Sequence, residues 1–227
     1  KTYPDSDWSY HQHRNLDIDT FKKTVLYLIS EGYYVVRVGS IVEKKLSINS
    51  PKFIDYPYTD MRSDFMDIFL IAHAEGVIGT ESGMTDLSAV FNVPYLIVNQ
   101  SVVGKWPVGK NALYIPLNYT EQGSNKKVFY RKALGKKLGS LFKAEDIGKE
   151  GLEITRNNEN EIFLASKEFL QRLNQEFKYT KEQTILMERY YKEFVPSTEL
   201  DKIKTPIGIS YLEENQSCFL ESIRLSS

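Results

Sequence analysis

An α/β fold, with a parallel sheet covered by helices on both faces and further helices toward the C-terminal end, is predicted by two features of the sequence. Helix and strand patterns alternate at short spacing through the first half of the chain, which calls for parallel strands joined by helical crossovers. At the centre of that half lies GVIGTESGMTDLSAVFNVPYLIV, residues 76–98, which reads as strand, glycine-flanked turn, helix and strand. A strand–turn–helix unit of this kind is the building block of Rossmann-like folds.

Each element has its own signal. Asp17 can cap a helix over 18–31, with Ile18, Phe21, Val25, Leu28 and Ile29 on one face and Gly32 where a terminating glycine belongs. Residues 33–38 (YYVVRV) read as a buried strand ending at Gly39, and a short strand is expected at 53–55. Ser63 can cap a helix over 64–74 whose inner face is Phe65, Ile68, Phe69 and Ala72. A strand over 76–78, a turn over 79–83, a helix over 84–91 and strands at 95–98 and 112–115 follow. The second half is less regular. GLEIT (151–155) reads as a strand, Asn158 can cap a long helix to about residue 177, and Thr180 with Gln183 forms a capping box for a helix to about residue 194. Pro196 and Pro206 bracket a linker before a short helix over 210–215, whereas the basic stretch 128–143 has no clear assignment.

The bulk numbers narrow the function classes. A chain of 227 residues, 41% apolar and 26% charged, has an ordinary soluble composition and can bury a real core. A net charge of −1 gives no global field that would favour nucleic acid or an anionic membrane. The single cysteine, Cys218, excludes an internal disulfide and a multi-cysteine zinc site, and a reducing cytoplasmic location is expected. No apolar run reaches 18 residues, so no spanning helix is predicted. The chain opens on Lys1 and the loop-like KTYPDSDWSYHQHR, so the coding sequence is expected to begin upstream.

The candidate site centres on Gly79, Thr80, Glu81, Ser82 and Gly83. Free amides at a helix start, with hydroxyls beside them and glycines that let the backbone approach, suit a phosphate or diphosphate. The alternative is a plain strand-to-helix turn in which Ser82 is only an N-cap. Glu81 opposes a phosphate placed directly on it and would face a ribose hydroxyl or solvent instead. Asp67 could bond a nucleobase or ribose, or could lie on the wet face of its helix one turn from Asp64. Arg37, near the C-terminal end of its strand, is placed either to meet a diphosphate or to form a salt bridge. His11 and His13 have HxH spacing, but no carboxylate or cysteine set completes a metal site, so none is predicted; Arg14 beside them is the better anion ligand. Lys126, Lys127, Arg131, Lys132, Lys136, Lys137 and Lys143 form an acid-free stretch. It is either a solvated face or a contact to a membrane surface or lipid-linked acceptor.

Several of these segments together resemble a known family. HRNLDIDTFKKTVLYLISEGYYVVRVGS, IDYPYTDMRSDFMDIFLIAHAEGVIGTESGMTDLSAVFNVPYLIVN, GLEITRNNENEI and the later ISYLEEN look like the C-terminal part of bacterial glycosyltransferases associated with surface-polysaccharide biosynthesis. The stretch RSDFMDIFLIAHAEGVIGTESG is more distantly similar to the donor-binding segment of core and protein-O fucosyltransferases. In that segment an arginine begins the helix, an aspartate sits inside it, and a strand leads to a Thr/Ser-rich turn. Carried over, the resemblance implies that Asp67 faces the base or ribose and that Thr80, Ser82 and Gly83 meet the diphosphate. It departs at Gly83 and Met84, where the fucosyltransferases have further polar residues.

The resemblance implies a GT-B type enzyme, in which two Rossmann-like domains enclose a cleft. Residues 1–177 would be the nucleotide-sugar-binding domain, with 1–16 as a loop-like opening segment, and residues 178–227 a helical extension that packs back on it. The N-terminal GT-B domain, with part of the acceptor site and some catalytic groups, is expected upstream. The implied partners are a nucleotide-sugar donor and a glycan or lipid-linked acceptor, with no cofactor, no nucleic acid and at most a peripheral contact with the inner membrane. The residues by themselves also leave open a sugar-nucleotide epimerase-like enzyme or a non-catalytic nucleotide-binding domain.

Overall fold

A computed structural model of the protein describes residues 16–40, 42–101, 107, 111–124, 126–128, 144–194 and 205–217. These residues form a mixed α/β structure with parallel strands flanked by helices. The parallel strands form two separate ladders where the periodicity predicts one sheet. Strands β1 (Val35–Arg37) and β2 (Phe53–Asp55) pair in one. Strands β3 (Val77–Thr80), β4 (Tyr95–Gln100) and β5 (Ala112–Pro116) pair in that order in the other. The residues of β1 are only half-buried, where the apolar run YYVVRV predicts a fully buried strand, because a two-stranded ladder has no interior.

The first predicted helix begins as a 3₁₀ turn over Ile18–Phe21 and continues as α1 (Lys22–Ser30). Asp17 caps it as expected, its carboxylate accepting from the Asp19 amide at 3.0 Å. Gly32 takes a φ of +100°, left-handed geometry that glycine enters without steric cost. Helix α2 (Asp64–Ala72) is capped by Ser63, whose hydroxyl accepts from the Met66 amide at 3.2 Å. Its orientation differs from the expectation. Asp67 and Ile71 are buried, while Phe65, Ile68 and Phe69 are exposed. An ion pair to Arg62 turns Asp67 inward, and a helix that points one carboxylate in must carry the opposite face out.

Helix α3 (Gly83–Val90) is the crossover between β3 and β4. Every residue of β4 is buried, so both faces of the sheet are covered there. A strand over 118–121 has no counterpart in the sequence reading. It is β6 (Asn118–Glu121), and it pairs antiparallel with β7 (Leu152–Thr155), the predicted GLEIT strand. Helix α4 (Ala144–Lys149) precedes β7, and the assignment of 129–143 lies outside the described residues. Helix α5 (Glu159–Leu173) starts at the predicted cap Asn158, whose side chain accepts from the amides of Asn160 and Glu161. It ends four residues before the expected boundary. In helix α6 (Lys181–Phe194), Thr180 and Gln183 exchange the reciprocal bonds of a capping box at 3.0 and 3.2 Å. Helix α7 (Ile209–Glu214) follows Ile207, which forms an isolated parallel bridge to Tyr114 of β5.

One apolar cluster joins these parts. Leu96, Val98, Leu113 and Ile115 of the sheet pack with Ile162, Ala165 and Phe169 of α5, Tyr190 of α6, and Ile207 and Leu212 near α7. Buried Glu168 ties α5 to α7. It accepts from Arg172 at 2.9 and 2.6 Å and from the Ile209 amide at 2.6 Å. Arg172 also reaches the Tyr179 hydroxyl at 2.5 Å and lies over the Phe177 ring at 4.0 Å. Replacing Arg172 by Ala leaves a buried carboxylate without its cation. Urea denaturation is expected to show a loss of about 3 kcal/mol for this variant.

Candidate functional site

The C-terminal edge of a parallel sheet is where open α/β folds place ligands, because strands end there and helices begin. Here β3 ends at Thr80, α3 begins at Gly83, and only Glu81 and Ser82 lie between. Gly79 and Thr80 belong to the strand itself, two residues beyond the predicted strand end. A Cβ at Gly79 would stand 3.0 Å from the Thr85 methyl, a tight contact that the Thr85 side chain would have to yield to. Gly83 has open space around it and carries no positive φ, so the close approach anticipated for it involves no part of the protein.

Ser82 is an N-cap, as the plainer reading of the sequence holds. Its hydroxyl accepts from the Thr85 amide at 3.4 Å, and the Thr85 hydroxyl accepts from the Ser82 amide at 3.1 Å. The Thr85 hydroxyl in turn is within donating distance of the carbonyls of Thr80, 2.9 Å, and Ser82, 2.7 Å. Capping leaves two amides over. Those of Gly83 and Met84 have no acceptor among the described residues, and Ser82 and Gly83 are exposed. An exposed first turn with unmet N–H groups is positively polarised and is suited to an anion.

Glu81 neither faces solvent nor stands over that turn. One carboxylate oxygen accepts from the Gln100 side-chain amide at 2.7 Å. The other accepts from the Ser101 amide at 3.1 Å and from the Ser101 hydroxyl. Tyr119 donates to the Ser101 carbonyl at 2.9 Å. Burial, and secondarily the Glu81 charge, push the Tyr119 hydroxyl far above its ordinary value, so it stays a neutral donor. Rather than pointing into solvent, Glu81 links the end of β3 to the end of β4. The link depends on a register shift. Asn99 takes a φ of +54°, and the amides of Asn99 and Asn157 each donate to the other side chain, at 2.7 and 2.6 Å. Asparagine tolerates the left-handed region better than other non-glycine residues.

Asp67 is the second predicted ligand, and its wet-face alternative does not hold. The residue is 6% exposed, and Arg62 donates to its Oδ2 at 3.1 Å and to Asp64 at 2.9 Å. The other carboxylate oxygen of Asp67 and the Nε of Arg62 are buried and have no hydrogen-bond partner among the described residues. Arg62 is not among the residues the sequence singles out for the site, although the resemblance has an arginine at this helix start; helical periodicity does not mark the pair, because it spans five positions across the start of the helix. Arg37 takes the salt-bridge alternative: it is held by Asp55 at 3.2 Å and by the Lys44 carbonyl at 2.7 Å. Arg14, His11 and His13 lie outside the described residues. Among the described residues no cluster of His, Cys, Asp or Glu has metal-holding geometry, and no helix is long and apolar enough to cross a membrane.

The residues brought together at one sheet edge are thus Thr80, Glu81, Ser82, Gly83, Gln100 and Ser101; Asp67 lies on α2, which packs against α3, and Arg62 just before that helix. Comparisons of the chain with protein-family models, with curated proteins and with solved structures returned no match. The turn itself can be tested. Thr85→Val keeps side-chain shape but removes the acceptor for the Ser82 amide and the donor to two carbonyls. A loss of about 1–2 kcal/mol in a denaturant titration is expected.

Proposed function

We propose that this chain is the donor-binding part of a glycosyltransferase, a Rossmann-like domain of GT-B type that holds a nucleotide-diphosphate sugar at the β3–α3 turn. The acceptor in this reading is a glycan or lipid-linked sugar of surface-polysaccharide biosynthesis. The observation that carries it is the exposed first turn of α3, where two amides have no acceptor among the described residues and Ser82 adds a hydroxyl. A leaving diphosphate gains charge as the glycosidic bond breaks, and fixed amides at a helix start stabilise that charge without reorganising. Glu81, held by Gln100 and Ser101, keeps its carboxylate directed at β4, which lowers the repulsion that the sequence suggests.

In the same reading Asp67 faces the base or ribose. One of its carboxylate oxygens has no donor among the described residues, but that oxygen is closed to solvent, so a ribose hydroxyl or base N–H would meet it only once the side chain turns outward. Arg37 is engaged by Asp55, so Arg14 remains the candidate cation for the diphosphate. The general base and part of the acceptor site belong, in this reading, to an N-terminal GT-B domain.

Two measurements test the proposal. Titration with GDP-, UDP-, ADP-, dTDP- and CMP-linked sugars should raise the melting temperature for at least one of them. At 100 times the dissociation constant the gain corresponds to about 2.7 kcal/mol. No shift with any donor would remove nucleotide-sugar binding from this chain. With a labelled donor, conversion without any acceptor would instead indicate an epimerase. Ser82→Asp is the sharper probe, since Asp caps as well as Ser and the fold should keep its stability. The added charge should weaken donor binding at least tenfold, and unchanged affinity would place the phosphate elsewhere.

A further inference from the structure

Helix α2 buries a carboxylate and exposes its phenylalanines, and the exposed side is more than a scatter of single residues. Phe65 is 72% exposed, and Ile68 and Phe69 share its face. Phe65 and Phe69 lie with ring centroids 6.0 Å apart, and His73 stacks on Phe69 at 4.1 Å, so the rings form a continuous row. Met61, just before α2, is 63% exposed. Val90, 74% exposed, and Phe91 close α3, which packs beside α2. Apolar surface concentrated in this way marks an interaction site rather than ordinary apolar exposure.

Charge in this part of the chain is mostly acidic, although Lys45 lies over the Tyr58 ring at 5.1 Å. Between Phe53 and Gly104 the chain has seven carboxylates and a single Lys or Arg, which is Arg62. That one cation is engaged by Asp64 and Asp67. Asp60, Asp64, Glu75 and Asp86 are exposed. Asp64 is four residues from Ile68, and Asp86 four from Val90, so each carboxylate stands beside an exposed apolar side chain on its helix. Apolar side chains with Asp64 and Asp86 beside them disfavour an anionic membrane and complement a basic, apolar protein surface.

We propose that the α2–α3 face is a docking surface for a protein segment presenting apolar side chains flanked by Lys or Arg, in the manner of a basic amphipathic helix. The occupant is fixed by charge complementarity: apolar contacts supply affinity, and the carboxylates select sign. Phe65, Ile68, Phe69 and Asp60 lie outside the β3–α3 turn, so loss of peptide binding in Phe65→Asp is distinguishable from loss of donor binding; Asp86 alone is shared with the first turn of α3.

The test uses two labelled 18-residue amphipathic helical peptides with the same leucine face, one with lysines on the polar face and one with glutamates. Fluorescence anisotropy against the whole chain should show saturable binding of the lysine peptide, weakened at least tenfold by Phe65→Asp. The double variant Asp60→Lys/Asp86→Lys should weaken it comparably while leaving the apolar row intact. The glutamate peptide should bind at least tenfold more weakly, and circular dichroism should show both variants folded. Equal binding of the two peptides, no binding, or indifference to both variants would overturn the proposal. So would a dimer in sedimentation equilibrium that Phe65→Asp dissociates, which would make a second copy the occupant. Phe65-dependent association with vesicles containing phosphatidylserine would overturn it in favour of a membrane.

Discussion

Burial of β4 along its whole length is the constraint on which the rest of the structure depends. A strand with no exposed residue must be covered on both faces and hydrogen-bonded along both edges, or its backbone groups lose their partners. Strands β3 and β5 supply the edges. Helices α3 and α5 pack against it, and Tyr190, Ile207 and Leu212 extend the same core. The C-terminal helices are therefore part of the core that buries the sheet, and the Glu168–Arg172 pair with the Ile209 amide fastens them to it.

The same strand also shapes the candidate site. At its C-terminal end Asn99 leaves ordinary strand geometry, and Gln100 and Ser101 beyond it engage Glu81. A carboxylate that would oppose an anion at the neighbouring helix start is thereby occupied by three donors. The site that results is made of backbone amides and hydroxyls more than of cations. Such a site depends on preorganisation rather than net charge.

Helix α2 has two consequences from a single rotation. Turning Asp67 inward to Arg62 leaves one carboxylate oxygen buried and without a donor among the described residues. The same rotation sends Phe65, Ile68 and Phe69 outward, onto a mostly acidic surface. Donor binding and partner docking are thus separate proposals on opposite sides of one helix.

The order and type of most elements were determined by local sequence. Asp17, Ser63, Asn158 and the Thr180–Gln183 pair act within a few residues of themselves, and each caps its helix as the sequence predicts. Parallel pairing of β3 with β4 likewise follows from a strand–helix–strand unit of short span. Tertiary structure alone decided the division into two parallel ladders and the appearance of β6, whose partner lies some thirty residues away. It also decided the rotation of α2, where helical periodicity favoured an apolar inner face and an ion pair across the helix start prevailed. The glycine-flanked turn stood out in the sequence because glycine, serine and threonine at a strand end carry a local signal. The direction of its Glu81 side chain did not, because it is set by Gln100 and Ser101, which only folding brings alongside.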